Sequence, residues 1–97
     1  MGFEDAQITP IGVDGGIDVN SKDAVAQIKM EGVLTSRPVV QALFGVATAE
    51  RKRGIFFSLA GYTLQAVEWA DRVGLALFTF DFQGEPAPVN PSASQLM

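Results

Sequence analysis

The stretch DGGIDVNSKDAVAQIKM, residues 14–30, decides the fold. Asp14-Gly15-Gly16 reads as a flexible corner, and Ile17, Asp18, Val19 and Asn20 after it alternate apolar and polar with the two-residue period of a strand. Ser21, Lys22 and Asp23 form a polar turn. Residues 24–30 then alternate again, with Ala26, Ile28 and Met30 on one face and Val25, Gln27 and Lys29 on the other. Two alternating runs joined by a short polar turn are a β-hairpin. With residues 21–24 as the loop, Asn20 lies opposite Val25 and Asp18 opposite Gln27. Asp18, Gln27 and Lys29 then share one face, with Lys29 about 7 Å further along the partner strand. A loop with an odd count would put Asp18 on the other side.

Upstream, residues 5–9 read as a short strand stopped by Pro10 and a turn at Gly12. Downstream, Ser36-Arg37-Pro38 is a helix start, because Ser caps free N–H groups and Pro suits the first turn. Residues 39–49 carry Val40, Leu43, Phe44 and Ala47 at helical spacing. Arg51, Lys52 and Arg53 end this helix, with Gly54 as a left-handed exit. Residues 54–60 are nearly continuously apolar, as in a strand covered on both faces. Thr63 caps a second helix that runs to Val73, with Leu64, Val67, Ala70 and Trp69 inward and Gln65, Glu68, Asp71 and Arg72 outward; Gly74 stops it. Residues 75–80 form another buried strand. Beyond Gly84 the chain is rich in Pro, Ala and Ser and reads as loose, with Asn90-Pro91 able to start a last helical turn. The expectation is one α/β domain over residues 1–90, with residues 91–97 as a loose tail or short helical turn. Its mixed β-sheet combines an antiparallel hairpin region with a β-α-β crossover, flanked by helices.

Composition limits the chemistry. The 97 residues include no His and no Cys, which excludes Ser/His/Asp and Cys/His nucleophile systems, zinc fingers, disulfide frameworks and thiol redox roles. The amino terminus lacks the positive start of a signal peptide, and no apolar run nears the ~18 residues of a membrane span, so a soluble cytoplasmic protein is expected. A net charge of −4 argues against indiscriminate nucleic-acid binding through bulk electrostatics. Arg37, Arg51, Lys52 and Arg53 remain as local phosphate contacts, with helix capping and a solvated surface as the other reading of the 51–53 run.

Carboxylate, amide and ammonium groups remain, and the hairpin gathers one of each. Mg²⁺ or Mn²⁺ prefers oxygen ligands completed by water and phosphate. Asp18 can hold such an ion, with the Gln27 amide oxygen and the Ile28 carbonyl beside it. Lys29 can orient or help deprotonate a water attacking a phosphodiester and steady the charge that develops. An exposed polar strand face explains the same residues without any chemistry.

Residues 2–96 resemble the Mrr-type restriction endonuclease domain, a branch of the PD-(D/E)xK nuclease superfamily in which Gln often replaces the acid before Lys. The resemblance lies in GFEDAQITP (2–10), DGGIDV (14–19), AQIK (26–29), FFSLAGYTLQAVEWA (56–70) and LALFTFD (75–81), with Gly-Gly-Ile-Asp followed by Gln-x-Lys as its specific part. It implies a restriction endonuclease-like sheet and a metal-dependent endonuclease hydrolysing DNA. In that reading Asp18 is the metal-binding acid, Gln27 the variant second ligand and Lys29 the catalytic lysine. Gln41, on the helix after the hairpin, corresponds to polar residues that approach DNA. Family domains usually begin with a helix that this sequence lacks, often bearing an acid aimed at the metal, a role open to Glu4. An uncovered sheet face then implies a homodimer, with elements exchanged between copies, and a separate module for DNA recognition. Ser58 is expected as a packed hydroxyl in a buried strand, with proximity to the site as the lesser reading, and Trp69 as a core or dimer contact. The alternative is a catalytically inactive structural or oligomerisation module of the same fold, favoured by the missing helix, the Gln and the acidic pI.

Overall fold

The computed structural model describes residues 7–11 and 16–96. Three strands come first, β1 (Gln7–Ile11), β2 (Gly16–Asn20) and β3 (Ala24–Lys29). Then follow α1 (Arg37–Ala49), β4 (Arg53–Ser58), α2 (Leu64–Val73), β5 (Ala76–Phe80), β6 (Pro86–Pro88) and α3 (Pro91–Ser94). All six strands form one sheet in sequence order. β1–β2, β2–β3 and β5–β6 are antiparallel, whereas β3–β4 and β4–β5 are parallel, so the two parallel steps are the ones bridged by α1 and α2. This is the expected α/β architecture with a mixed sheet.

Ser21 sets the hairpin. Its N–H donates to the Ala24 carbonyl at 2.9 Å and its Oγ accepts from Ala24 N–H at 3.1 Å, closing the turn over Lys22 and Asp23. α1 and α2 lie on the same face of the sheet, because both crossovers step in the same direction across it. Val40, Leu43 and Ala47 of α1 and Ala66 and Ala70 of α2 form one core with Val25, Phe56 and Leu77. The opposite face packs Ala93 of α3 against Ala24, Ala26, Ile55, Ala76 and Phe78.

Several local expectations change. Ser36 sits at the N-cap of α1 but makes no side-chain cap hydrogen bond. Pro10 does not stop β1: it pairs with Ile17, a position open to proline because β1 is an edge strand. Gly54 is not the left-handed exit of α1. Arg51 takes that conformation at φ 57°, and Gly54 lies inside β4, where a Cβ would meet Leu75 Cδ1 at 2.8 Å. Leu64, expected inward, is 69% exposed, and Ala66 carries the inner face of α2 in its place. The stretch after Gly84 is not loose throughout. β6 pairs with β5, and buried Asn90 accepts from Leu77 N–H and Ala93 N–H at 3.1 Å each while donating to the Leu75 carbonyl at 2.8 Å. Glu4 and Asp5, the Gly12 turn and the Asp14-Gly15 part of the corner lie outside the described residues.

Candidate active site

The β2–β3 register places Asp18 opposite Gln27 and Asn20 opposite Val25. On its other side β3 pairs Gln27 with Phe56 and Lys29 with Ser58. Val25 and Phe56 belong to the core beneath α1 and α2, so by strand alternation Asp18, Gln27, Lys29 and Ser58 stand on that same face. Burial decreases along β3: Ala24, Val25 and Ala26 are buried, whereas Gln27, Ile28 and Lys29 are half-buried. The polar residues therefore occupy the half of the strand that α1 leaves open.

Lys29 Nζ lies 3.5 Å from Glu31 Oε1, and the Lys29 carbonyl accepts from Leu59 N–H at 3.0 Å, which ties this residue's backbone to the end of β4. Ser58 is fully buried. Its Oγ accepts from Thr35 Oγ1 at 2.8 Å and donates to the Gly61 carbonyl at 2.9 Å, while Thr35 N–H donates to the same carbonyl at 2.8 Å. This knot holds the β3–α1 and β4–α2 connections together beside Lys29. Gly61, at φ 95°, supplies a turn that other residues rarely adopt. Tyr62 extends the clamp: its hydroxyl lies 2.9 Å from the Phe56 carbonyl and 2.7 Å from that of Phe78, bridging β4 and β5, and burial raises its pKa far above the usual phenol value.

The basic residues separate into two groups. Arg37 opens α1 at the same end of the sheet as Lys29 and is exposed. Arg51, Lys52 and Arg53 lie at the opposite end, where Arg53 pairs with Ala24, about 16 Å along β4 from Ser58. Lys52 is already engaged, with Nζ 2.7 Å from Asn20 Oδ1 and 3.2 Å from Glu50 Oε1. Gln41 lies half-buried in α1, between buried Val40 and Leu43. Trp69 packs edge-on against Phe44 with ring centroids 5.3 Å apart, joining α1 to α2.

Burial first, and the Glu50 carboxylate second, push the Asp18 carboxyl above its usual value of 3.8. Folded protein thus holds this proton more tightly than unfolded chain does. Ionised Asp18 consequently opposes folding at neutral pH, a penalty that fades as pH falls through the raised folded value and is gone below the ordinary one. Asp18→Asn is expected to raise Tm by about 2–5 °C at neutral pH, with the gain vanishing in acid, as read by thermal melts across pH. A cation beside Asp18 relieves the same penalty.

The donor set suits a hard divalent ion: one carboxylate, the Gln27 amide oxygen across the ladder and the Ile28 main-chain carbonyl. The Ile28 side chain is on the opposite face, in an apolar cleft, which leaves its carbonyl as the only contribution it can make. No group of three or more His, Cys, Asp or Glu occurs among the described residues, so water and phosphate would complete the shell.

The sequence model of the Mrr_cat family, described as restriction endonuclease, matches residues 1–81. The chain belongs to the Mrr_cat restriction endonuclease family. That match takes in the hairpin, both long helices and all the residues of the candidate site, and leaves β6 and α3 beyond it. Mrr_cat membership makes the chain a domain of the restriction endonuclease type, a class that acts on DNA and generally uses divalent metal ions. No curated protein and no solved structure gives a significant match. None of the described helices is long and apolar enough to cross a membrane.

Sequence reasoning did not single out Glu50, Glu31 or Thr35. The first two are ordinary surface acids by sequence, and only the chain's path brings Glu50 within reach of Asp18. Nothing in the sequence marks Thr35; its bridge to Tyr62 and its bond to Ser58 arise only in the fold.

Proposed function

We propose that this Mrr_cat domain is a metal-dependent endonuclease that hydrolyses DNA phosphodiester bonds at the Asp18, Gln27 and Lys29 face. The observation that carries this reading is the register Asp18↔Gln27, which sets carboxylate, amide and ammonium on one side of the sheet. Asp18, Gln27 and the Ile28 carbonyl would hold Mg²⁺ or Mn²⁺, whose chemistry is to polarise the phosphate and lower the pKa of a bound water. Lys29 Nζ, steered by Glu31 and by the backbone tie to Leu59, donates toward the attacking water and the phosphate oxygens where negative charge accumulates. Arg37 contacts a neighbouring phosphate, and Gln41 approaches the DNA from the next turn of α1. Arg51 and Arg53 reach only backbone further along the duplex, and Lys52 must leave Asn20 and Glu50 to join them.

A homodimer in the cytoplasm, with sequence recognition in a separate module, completes the proposal. The face opposite α1 and α2 carries a single four-residue helix among the described residues, and Ile28, Met30, Phe57, Phe80, Gly84 and Pro86 line an apolar cleft of about 330 Å³ there. Such a surface favours burial against a second copy.

The test is supercoiled plasmid at low salt. Nicking or linearisation is expected with Mg²⁺ or Mn²⁺ and is expected to cease on chelation. Absence of cleavage with either ion, or a Mn²⁺ titration unchanged by Asp18→Asn, would overturn the reading in favour of an idle scaffold. Sedimentation checks the dimer.

A further inference from the structure

The β3–α1 connection carries two consecutive large aliphatic residues in water, Val33 at 68% and Leu34 at 53% exposure. Leu64, at 69%, opens α2 close by, next to Thr63, whose N–H donates to the Thr35 carbonyl. Isolated exposed aliphatics are ordinary, but a cluster of them beside a site marks a contact surface.

This crest stands on a fixed base. Thr35, directly after Leu34, is buried; its hydroxyl donates to Ser58 Oγ, its N–H donates to the Gly61 carbonyl, and its carbonyl accepts from Thr63 N–H at 3.0 Å. Leu34 Cδ2 lies 3.7 Å from where a Gly61 Cβ would stand, over the turn whose neighbour Ser58 pairs with Lys29. Two aliphatic side chains are therefore held out at the end of the sheet that bears Lys29, with exposed Arg37 just behind them.

Resting on the nuclease reading above, we propose that Val33 and Leu34 enter a groove of duplex DNA as an apolar wedge and partly unstack one base step while Lys29 faces the backbone. Apolar side chains placed between base steps kink a duplex and let it contact more protein. At a net −4 the chain gains little from phosphate neutralisation, and insertion of aliphatic groups adds affinity that salt does not screen. Arg37 supplies a phosphate contact on the same side and fixes the approach.

The experiment uses the full chain and short duplexes carrying 2-aminopurine at successive positions, with Ca²⁺ in place of Mg²⁺ so that cleavage does not intervene. A fluorescence rise at one step is expected with the unaltered protein. For the Val33→Ser, Leu34→Ser double variant the rise is expected to be lost and affinity to fall about tenfold, with Tm and the salt dependence of binding unchanged. Arg37→Gln should instead reduce the salt slope by about one. Equal fluorescence and affinity in the double variant would overturn the wedge and leave the nuclease reading standing. So would a shift from dimer to monomer with DNA binding intact, which would make the crest a protein contact. Failure of the unaltered chain both to bind duplex and to cut plasmid would overturn both proposals.

Discussion

Lys29→Met is expected to lower plasmid cleavage by about 10²–10⁴-fold with little change in stability. Met keeps the length and apolar stem of Lys, and Lys29 is only 20% exposed, so the stem packs while the charged head is lost. The affected quantity is kcat. Mn²⁺ binding should persist, because the proposed ligands sit on Asp18 and Gln27 across the ladder and not on Lys29. Asp18→Ala is expected to reduce cleavage at least as much and to abolish Mn²⁺ binding with it. This contrast separates the two roles: one variant binds metal and fails in chemistry, the other fails in both. Lys29→Arg should not support full activity, since a planar guanidinium beside buried Ser58 presents its donors in a fixed fork and cannot take the place of a compact ammonium. Single-turnover cleavage with each variant, paired with Mn²⁺ titration, reads the outcome. Undiminished cleavage by Lys29→Met would remove Lys29 from the mechanism.

The hairpin was legible because its information is local. Alternation fixes which side chains share a face within each strand, and the 21–24 loop, whose even count the sequence alone leaves open, sets Asp18 opposite Gln27. The buried strands β4 and β5 were equally plain from unbroken apolar runs. What escaped depends on neighbours distant in sequence. Gly54 looks like a helix stop until Leu75, 21 residues on, is seen against it, and Arg51 takes the left-handed position in its place. Leu64 fits a helical stripe by spacing, yet Ala66 and Ala70 face the sheet because α2 must lie close to Leu77 and Phe56. The segment after Gly84 has the composition of a linker. Its order comes from Asn90, whose side-chain amide completes backbone hydrogen bonds at the edge of β5. In the candidate site, the Asp18, Gln27 and Lys29 face was readable, whereas the influence of Glu50 on Asp18 and the Thr35–Ser58 bond needed the folded chain. The basic run 51–53 shows the limit of composition, because its position at the far end of β4 comes from topology.

Phe56→Ala is expected to destabilise the domain by about 3–5 kcal/mol, a large share of the 5–15 kcal/mol typical of a whole domain. Phe56 is fully buried at the centre of the core shared by β3, β4, α1 and α2, and packs edge-on to Tyr62 with centroids 6.0 Å apart. Neighbours cannot close the cavity readily. Tyr62 is held at its hydroxyl by the Phe56 and Phe78 carbonyls, and Val40 and Ala66 lie on helices fixed by their own packing. A fall in Tm of about 15–30 °C should follow. Phe82→Ala is the matched control: Phe82 is 94% exposed, and its loss should change stability by no more than about 0.5 kcal/mol. The consequence reaches the site, because Phe56 pairs with Gln27 and its ring stands beside that side chain on the same face of the sheet. Cleavage by Phe56→Ala, measured well below its lowered Tm, should therefore drop more than the folded fraction accounts for, with weaker Mn²⁺ binding as the sign that Gln27 has shifted. Denaturant unfolding of both variants, alongside Mn²⁺ titration of the folded protein, decides it. A loss under about 1 kcal/mol would mean that this core relaxes around the cavity and that Phe56 does not hold β4 against the helices.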